Sequence, residues 1–493
     1  MMIKRIKSKA SNSFASGKKR LKKMGKPVKG LAVFGLGLSL VLGMTGCSGN
    51  SAVISNPDGM KKVGSLSVEQ EVHYQDESET EEVLGTFSSK GGLCVIEKHA
   101  SYYDVTLDLE KGSHQDVGAA YAEALLLAVP EYSEVMEPYL YENIRSAFRG
   151  RDINYESLEK RIRTLEAGIS DDYRLEIESF ASTISKGEEG FSEDGKISYI
   201  EAMTMQMIPD ALRGTACSAL SLDGTKTTTG ERLSLRNLEW NIGSQSQMTE
   251  IHCVTHFKKG EGTVTAISML GLMDIITAVN DDGVLIGILD VGSNNSDPYV
   301  YEGKKCYTFE IRYALEHFST AREAGEYMVA ESGNFTWCHN LLCTDAKDAF
   351  CCEDATAEVA ATGAARSVLR STDSELMEGL QWDTPDALCI VNSFSTKGNQ
   401  DGFSLSGRAG SGSNSIRFAK FNKWVSEKEK FSVGDLKGIM AHEIVDQYEV
   451  CNVHNDGTVH TVIVDYATGN IHVAFTTGTM TEDIPRYLYV GNY

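Results

Sequence analysis

The period of the hydrophobic pattern changes near residue 216, and this change constrains the fold more than any other feature. Before it, apolar residues recur at helical spacing, as with Leu158, Ile162 and Leu165. After it come short runs rich in β-branched and apolar residues, such as VLIGILDV and HTVIVDY, separated by Gly, Asp or Asn turns. We therefore predict an α+β protein whose sheets are too apolar on both faces to lie against water.

The N-terminus has the order of a secretion signal. Residues 1–29 carry eleven Lys or Arg and no acid, and an apolar run from Leu31 to Met44 follows. Thr45, Gly46 and Cys47 come next, which is typical of a bacterial lipoprotein processing site. We predict a signal peptide over 1–46, lipidation of Cys47 and an exported protein anchored on the extracytoplasmic face of a membrane. The alternatives are a plain signal peptide or an N-terminal anchor helix.

Charge restricts the partners of the mature chain. Without residues 1–46, 36 basic residues face 69 acidic ones, a formal charge of −33. This surface disfavours nucleic acid and anionic lipid, so the lipid anchor is the expected membrane contact. Residues 47–92 are rich in Ser, Gly and acids and are predicted to form a solvated tether. The remaining 93–493 hold few prolines and are interpreted as one large unit, with 93–216 helical.

Nine cysteines remain besides Cys47 and Cys217. Their number is odd, and Cys351 and Cys352 are adjacent. With Cys343 they fall in strand-like apolar runs whose spacing fits no usual zinc site. The pattern favours buried structural thiols over metal ligands, and we expect no metal and no cofactor.

Cys217 opens a segment that can be paired by hand. A strand over 217–222 ends at an Asp-Gly turn, and the return strand begins near residue 232. Cys217 then faces residue 237, within two positions either way, which brings Arg236 and Glu239 beside the thiol. A cation there lowers the thiol pKa and favours the nucleophilic thiolate. The alternative is that Arg236 and Glu239 only pair with each other at a strand end.

A nucleophilic cysteine needs a base, and its usual histidine does not lie nearby in the sequence. His252, His256 and His339 could approach in space. The sequence has no GxSxG motif, and Asp446 stands where a HExxH motif needs its second histidine. A different base would be the α-amine of Cys217, which exists only if the chain is cut before that residue.

The hairpin resembles the active-site segment of the isopenicillin-N (acyl-CoA:6-aminopenicillanic acid) acyltransferase family, whose wider relatives are the choloylglycine hydrolases and penicillin V acylases. CSAL and RNLEW correspond to that family's CTS and RN-(L/M)-D-W. AVNDDGVLIG, CHNLLCTDAKDAFCCE, IVNSFST and SGSNSIRFAKF resemble further motifs in the family's order. Upstream, LEKRIRTLEAGISDDYRLEIESFA resembles the helical precursor region. The likeness runs from about residue 100 to 480.

The resemblance implies a four-layer αββα N-terminal-nucleophile hydrolase with a helical precursor region. It also implies autoproteolysis between Ala216 and Cys217, after which the two fragments stay associated. The expected substrate is a small-molecule amide, cleaved through an acyl-Cys217 intermediate, with water or an amine accepting the acyl group.

The resemblance also assigns roles to site residues. Asn392 would donate to the oxyanion, with Asn280 or its backbone as the second donor. Arg236 would hold the thiolate, Glu239 the α-amine, and Arg417 would brace the cluster.

Three positions depart from the family pattern: Glu239 stands for Asp, Ser393 for His, and Ala219 interrupts the CTS run. Two alternatives therefore remain beside the amidohydrolase. One is an inactive lipoprotein that binds a small ligand in the same fold, and the other is a histidine-assisted cysteine peptidase of another fold.

Overall fold

The computed structural model describes residues 75–76, 80–149, 151–212, 216–260, 262–291, 299–399, 412–445, 453–455, 457–478 and 485–493. The predicted signal peptide, the lipidation site Cys47 and most of the predicted tether lie outside these residues. In the part that is described, no helix has the length and apolar character needed to cross a bilayer.

The helices of the described chain fall into an N-terminal and a C-terminal group. The N-terminal group is α1 (His114–Ala128), α2 (Tyr132–Ala147), α3 (Tyr155–Glu166), α4 (Asp171–Ser185), α5 (Tyr199–Met205) and α6 (Ile208–Ala211). The C-terminal group is α7 (Tyr307–His317), α8 (Ala321–Glu331), α9 (Ala357–Ala361), α10 (Gly412–Glu427) and α11 (Val433–Val445).

Seventeen strands are seen in the described ranges. The first nine are β1 (Gln75–Asp76), β2 (Gly85–Ser88), β3 (Cys94–Lys98), β4 (Tyr103–Asp108), β5 (Ala216–Leu222), β6 (Leu233–Glu239), β7 (His252–Lys259), β8 (Gly262–Met269) and β9 (Thr277–Asn280). The others are β10 (Leu285–Asp290), β11 (His339–Thr344), β12 (Ala349–Asp354), β13 (Val368–Arg370), β14 (Ala387–Ile390), β15 (Thr458–Asp465), β16 (Asn470–Phe475) and β17 (Arg486–Asn492).

Local sequence signals explain where several helices begin. Ser113 caps α1 in a capping box with Asp116, as the Ser before the apolar repeat predicts. In α3 the three apolar residues of one face, Leu158, Ile162 and Leu165, are all buried. Helix α4 follows Ser170 and buries most of its apolar stripe, although Leu175 is exposed.

The strands form two sheets. One has the order β1-β17-β16-β15-β6-β5-β14, and the other has the order β13-β12-β11-β10-β9-β8-β7-β4-β3-β2. Helices α1, α7 and α8 contact the second sheet, α10 contacts the first, and β5 contacts β10 between the sheets. The chain is therefore a mixed α and β protein in which two sheets face each other and helices flank them.

The predicted hairpins are present. In the β5–β6 pair Cys217 lies opposite Leu238, one residue from the predicted partner and within the predicted margin. The HTVIVDY run forms β15, which pairs with β16 and, on its other side, with β6. The second contact is nonlocal and places β6 between β5 and β15.

Side chains on β5 alternate between two apolar cores, since successive residues of a strand point to opposite faces. Cys217 and Ala219 belong to the core shared with the ten-stranded sheet. Leu220 and Leu222 belong to a second core, which includes Phe418 and other residues of α10. The thiol of Cys217 therefore points between the sheets, while the opposite face of β5 meets α10.

The region predicted to be helical, 93–216, also contains two strands. Tyr103, Val105 and Leu107 alternate with polar residues along β4, and all three are buried. This period of two is the pattern of a half-buried strand, and β4 pairs in parallel with β7. The strands tie this region into the ten-stranded sheet, and the six helices follow them.

Candidate active site

Cys217 is the second residue of β5, and its side chain is fully buried. Burial in apolar surroundings raises the pKa of the thiol to about 11, while the nearby Arg236 guanidinium opposes that rise. At pH 7 about one thiol in 10⁴ would be ionised at that pKa, so this chain needs a base to form the thiolate.

Arg236 on β6 reaches the thiol from the neighbouring strand. Its Nη2 lies 3.4 Å from Cys217 Sγ and donates to the carbonyl of Ile288 at 2.7 Å. The side chain crosses Gly287 of β10, where a Cβ atom would lie 3.1 Å from Cγ of Arg236 and 3.2 Å from its Nε. The glycine in VLIGILDV therefore makes room for the cation that faces the thiol.

Asn392 lies two residues beyond the end of β14. The last paired residue of β14 is Ile390, which lies opposite Ala219. Two residues later, Oδ1 of Asn392 accepts a hydrogen bond from the backbone nitrogen of Cys217 at 2.8 Å. Its Nδ2 donates to the carbonyl of Asp290 at 2.7 Å. A side-chain amide thus accepts the hydrogen bond from the backbone nitrogen of Cys217.

Arg417 approaches from α10 on the other face of β5. Its Nη1 donates to the Cys217 carbonyl at 2.5 Å and to Ser218 Oγ at 2.8 Å. Its Nη2 donates to Asn392 Oδ1 at 2.9 Å and to Asn414 Oδ1 at 2.6 Å. One guanidinium therefore joins the backbone of Cys217 to the side chain that binds its nitrogen.

Glu239 lies in the cluster in a different place from the one predicted. Its Oε2 is 3.9 Å from Arg417 Nη1, and its Oε1 is buried without a hydrogen-bond partner in the described structure. Burial raises the carboxyl pKa to about 7, against the lowering effect of Arg417 and Arg236. In the uncut chain the acceptor at the Cys217 nitrogen is Asn392, and the role of Glu239 at the α-amine of a cut chain stays a prediction.

The structure does not bring Asn280 to the thiol. Its Nδ2 donates to the carbonyls of Leu315 and Phe318, and its Oδ1 and backbone nitrogen both bond to Val284. Val284 precedes β10, and Asp290 is the last residue of this strand. The six residues of β10 span about 20 Å at 3.3 Å per residue. Asn280 closes the turn before β10, which corrects its predicted role as an oxyanion donor.

Asp290, whose charge acts on the thiol, and His460, which contacts Arg236, were missed by the sequence reasoning. The charge of Asp290 raises the pKa of the Cys217 thiol, and its Oδ1 accepts from Tyr307 Oη at 3.3 Å. His460 Nε2 lies 3.2 Å from Arg236 Nη1, and burial places the imidazole pKa well below its usual value. The only sequence signal for Asp290 is its position as an acid at the end of an apolar strand. The position of His460 beside Arg236 depends on the nonlocal pairing of β6 with β15, which has no local signal.

The three histidines considered as bases have other partners. His252 contacts the carbonyl of Thr476, His256 contacts Asp104 and Thr265, and His339 pairs with Asp354. Among the described residues, no histidine lies within hydrogen-bond distance of Cys217 Sγ. A guanidinium can only donate hydrogen bonds, so Nε2 of His460 accepts from Arg236 Nη1. This nitrogen therefore already has a hydrogen-bond donor.

The cysteines predicted to be structural are buried. Cys343, Cys351 and Cys352 are fully enclosed in β11 and β12, and they carry free thiols. Cys343 Sγ lies 3.1 Å from the carbonyl of Ala321 on α8. Burial raises the pKa of the Cys351 thiol to about 12, although the neighbouring Arg370 opposes the rise, so burial favours the neutral thiol there.

Comparisons with known proteins give only distant likenesses. No protein-family model and no curated protein matches the chain. Among solved structures, the Caenorhabditis elegans N-acylethanolamine-hydrolyzing acid amidase ortholog is 11% identical over 50% of this chain and 92% of its own, with a TM-score of 0.34.

A mutant conjugated bile acid hydrolase from Clostridium perfringens is 12% identical over 52% of this chain and 89% of its own, with a TM-score of 0.28. Penicillin V acylase from Agrobacterium tumefaciens is 10% identical over 53% and 83%, also with a TM-score of 0.28. These scores are too low to support an inference about the chain, whose function must be argued from the residues around Cys217.

Proposed function

We propose that this chain is the precursor of an N-terminal-nucleophile amidohydrolase that cuts itself between Ala216 and Cys217. In this proposal the two sheets and the helices that flank them form a four-layer αββα arrangement. Residues 217–493 form the catalytic chain and residues 93–216 the retained precursor fragment. The substrate is a linear amide, and the acyl group passes through Cys217 to water or to an amine.

The observation that carries the proposal is convergence on one residue. Three side chains from different parts of the fold contact Cys217. Arg236 on β6 contacts its thiol, Asn392 after β14 contacts its nitrogen, and Arg417 on α10 contacts its carbonyl. A structural cysteine needs no such set: buried Cys343 contacts the carbonyl of Ala321 and the neighbouring thiol of Cys352. Polar side chains that contact the sulfur, the nitrogen and the carbonyl of one cysteine are suited to a reaction at its sulfur and its nitrogen.

The cleavage step needs only atoms of this chain and water. Cys217 Sγ attacks the carbonyl carbon of Ala216, the C–N bond breaks, and the thiol proton passes to the nitrogen of Cys217. Water then hydrolyses the thioester to give a carboxylate on Ala216 and a free thiol. Ala216 pairs with Glu239 in the β5–β6 ladder, so the bond to be cut is held opposite an acid whose pKa is raised to about 7.

Cleavage would supply the base that the uncut chain lacks. A free α-amine has a pKa of about 8, close enough to neutrality to take the thiol proton. Asn392 Oδ1 already binds this nitrogen and would hold the amine beside the sulfur, while Arg236 would stabilise the thiolate. The attacked amide then forms a thioester with Cys217 and releases its amine, and water or another amine takes the acyl group.

Asn392 is also the proposed oxyanion donor. Its Nδ2 carries two hydrogens, and one of them is donated to the Asp290 carbonyl. Removing one donor from such a site typically costs about 3 kcal/mol in the transition state.

Many contacts would keep the fragments together after cleavage. Strand β4 of the precursor fragment pairs with β7 of the catalytic chain. Glu176 accepts two hydrogen bonds from buried Arg312, and Gln206 exchanges hydrogen bonds with the backbone of Gly271 and Met273. Export and anchoring through Cys47 remain part of the proposal.

The test is the intact mass of the purified protein. We expect a chain that begins at Cys217, absent from Cys217→Ala and present in Cys253→Ala, a control at another buried cysteine. An uncut protein that thiol reagents do not inactivate would rule the enzyme out and leave ligand binding. An uncut protein that these reagents inactivate would favour a histidine-assisted peptidase. A panel of N-acyl amides, including bile-salt, β-lactam, peptide and N-acyl amino-acid amides, would then identify the acyl and amine groups.

A further inference from the structure

Two buried residues outside the cluster hold the backbone around Asn392. Asn340 on β11 donates through Nδ2 to the carbonyl of Val391 at 2.9 Å and to that of Ser393 at 3.0 Å. These are the residues immediately before and after Asn392. Both hydrogens of the amide are therefore donated to carbonyls of the residues that flank Asn392.

The orientation of Asn340 is unambiguous because both partners are carbonyl oxygens and need a donor. Its Oδ1 is buried without a partner in the described structure, which costs free energy. The cost is understandable if the two donated hydrogen bonds serve the position of Asn392.

Glu353 holds the next part of the same segment. It lies directly opposite Asn340 in the β11–β12 ladder and is fully buried. Its Oε1 accepts from the backbone nitrogens of Ser395 and Thr396 at 2.8 and 3.0 Å, and its Oε2 accepts from Asn399 Nδ2 at 2.9 Å. Arg370 balances its charge through an ion pair of 3.1 Å.

We infer that the cross-strand pair Asn340–Glu353 is a positioning device that directs Asn392 Oδ1 to the nitrogen of Cys217. Neither residue has a contact with Cys217 in the described structure, so both act through the 391–399 segment. The part of this inference that concerns catalysis rests on the proposed function. The part that concerns the hydrogen bond between Asn392 and Cys217 does not.

Amide hydrogen exchange at residue 217 tests the inference without requiring activity. In a Cys217→Ala background the chain cannot cut itself, and residue 217 keeps its amide. We expect Asn340→Leu to speed exchange at residue 217 about tenfold while the amide of Leu220 changes little. Glu353→Gln, which keeps the side-chain shape, should speed exchange at residue 217 to a smaller degree. It still tests the inference if Asn340→Leu does not fold.

Thr344→Val is the matched control. Thr344 is buried on the same strand, and its Oγ1 bonds to Ser234 and Tyr466, away from the 391–399 segment. It should lower the melting temperature without speeding exchange at residue 217. If Asn340→Leu and Glu353→Gln change the exchange rate of the residue 217 amide no more than that of the Leu220 amide, the inference is overturned.

In the processed enzyme, Asn340→Leu should lower kcat about 100-fold with KM within about threefold, because misplacing an aligned group affects chemistry more than binding. Thr344→Val should leave both parameters close to wild type. If the wild-type chain neither cuts itself nor hydrolyses amides, the proposed function fails, and the exchange result still decides whether the pair positions Asn392. Equal loss of kcat in Asn340→Leu and Thr344→Val would overturn the catalytic part of the inference.

Discussion

The backbone nitrogen of Cys217 donates a hydrogen bond to Asn392 Oδ1 at 2.8 Å, across 175 residues of sequence. Asn392 stands where β14 has ended, so a side chain replaces the main-chain acceptor that a longer strand would supply. A main-chain acceptor would hold an amide equally well. A side-chain amide can bind a free amine and also donate a hydrogen to an oxyanion.

Replacing Asn392 should therefore damage chemistry more than stability. We expect Asn392→Leu to lower kcat by about 10²–10³-fold, as for loss of an oxyanion donor, and to slow cleavage before Cys217. The measurements are steady-state kinetics on the processed protein and the rate at which the new chain appears. Asn334→Ala, at an exposed asparagine that bonds to Glu331, should leave both rates unchanged. Unaltered kinetics in Asn392→Leu would remove Asn392 from the site.

Gly287 should be intolerant of a single added methyl group. The Cβ of Gly287→Ala would meet the Arg236 side chain at 3.1–3.3 Å and displace the guanidinium from Cys217. We expect a loss of about 1–3 kcal/mol in the free energy of unfolding and a fall in activity beyond what the melting curve explains. Gly262→Ala on β8 is the control, because its nearest neighbour would be a carbonyl 3.8 Å away. Equal behaviour of the two variants would contradict the prediction.

Glu239 should make stability depend on pH near neutrality. Burial raises its pKa from 4.5 to about 7, so the folded chain binds a proton that the unfolded chain has already lost between these values. Stability should therefore fall as pH rises from about 4.5 to 7, by up to about 3 kcal/mol, and then level off. Glu239→Gln should make the fall shallower by this amount without abolishing it, because the pKa of buried Asp210 is also raised to about 7. Denaturant unfolding of both proteins across that range gives the answer, and parallel curves would refute the assignment.

Removing the Arg417 guanidinium should destabilise the fold. Arg417→Met leaves Glu239 without its nearest cation and takes the donor from the Cys217 carbonyl. We expect the free energy of unfolding to fall by about 3–5 kcal/mol, as for a broken buried pair. The loss should be smaller in a Glu239→Gln background. Arg322→Met, at an exposed ion pair, should cost less than about 1 kcal/mol. An equally small effect at Arg417 would show that this cluster is not held by charge.

Local signals were sufficient for several helices and for the hairpin that contains Cys217. The Ser113 cap and the face formed by Leu158, Ile162 and Leu165 depend on residues within two turns of a helix. The pairing of Cys217 with Leu238 depends on one turn. Strand β4 has the local period of a strand, but its parallel pairing with β7, about 150 residues away, has no local signal.

The choice between Asn280 and Asp290 shows where such signals end. Both residues end an apolar strand of the same sheet, and asparagine is the better hydrogen-bond donor of the two. Only the direction of β10 decides which end meets Cys217, and that end carries Asp290. The partner of the Cys217 nitrogen in the uncut chain likewise has no local signal, because Asn392 is 175 residues away in the sequence.

The sequence by itself determined the mixed α and β composition, the helical face formed by Leu158, Ile162 and Leu165, and the hairpin that places Arg236 beside Cys217. These follow from periodicity, caps and turns, which act over a few residues. The tertiary structure alone decided that Asn392 and Arg417 bind the backbone of Cys217 and that Asn340 and Glu353 hold Asn392. Those contacts join β5, β11, β12, the end of β14 and α10, whose relative positions arise from packing two sheets around shared cores.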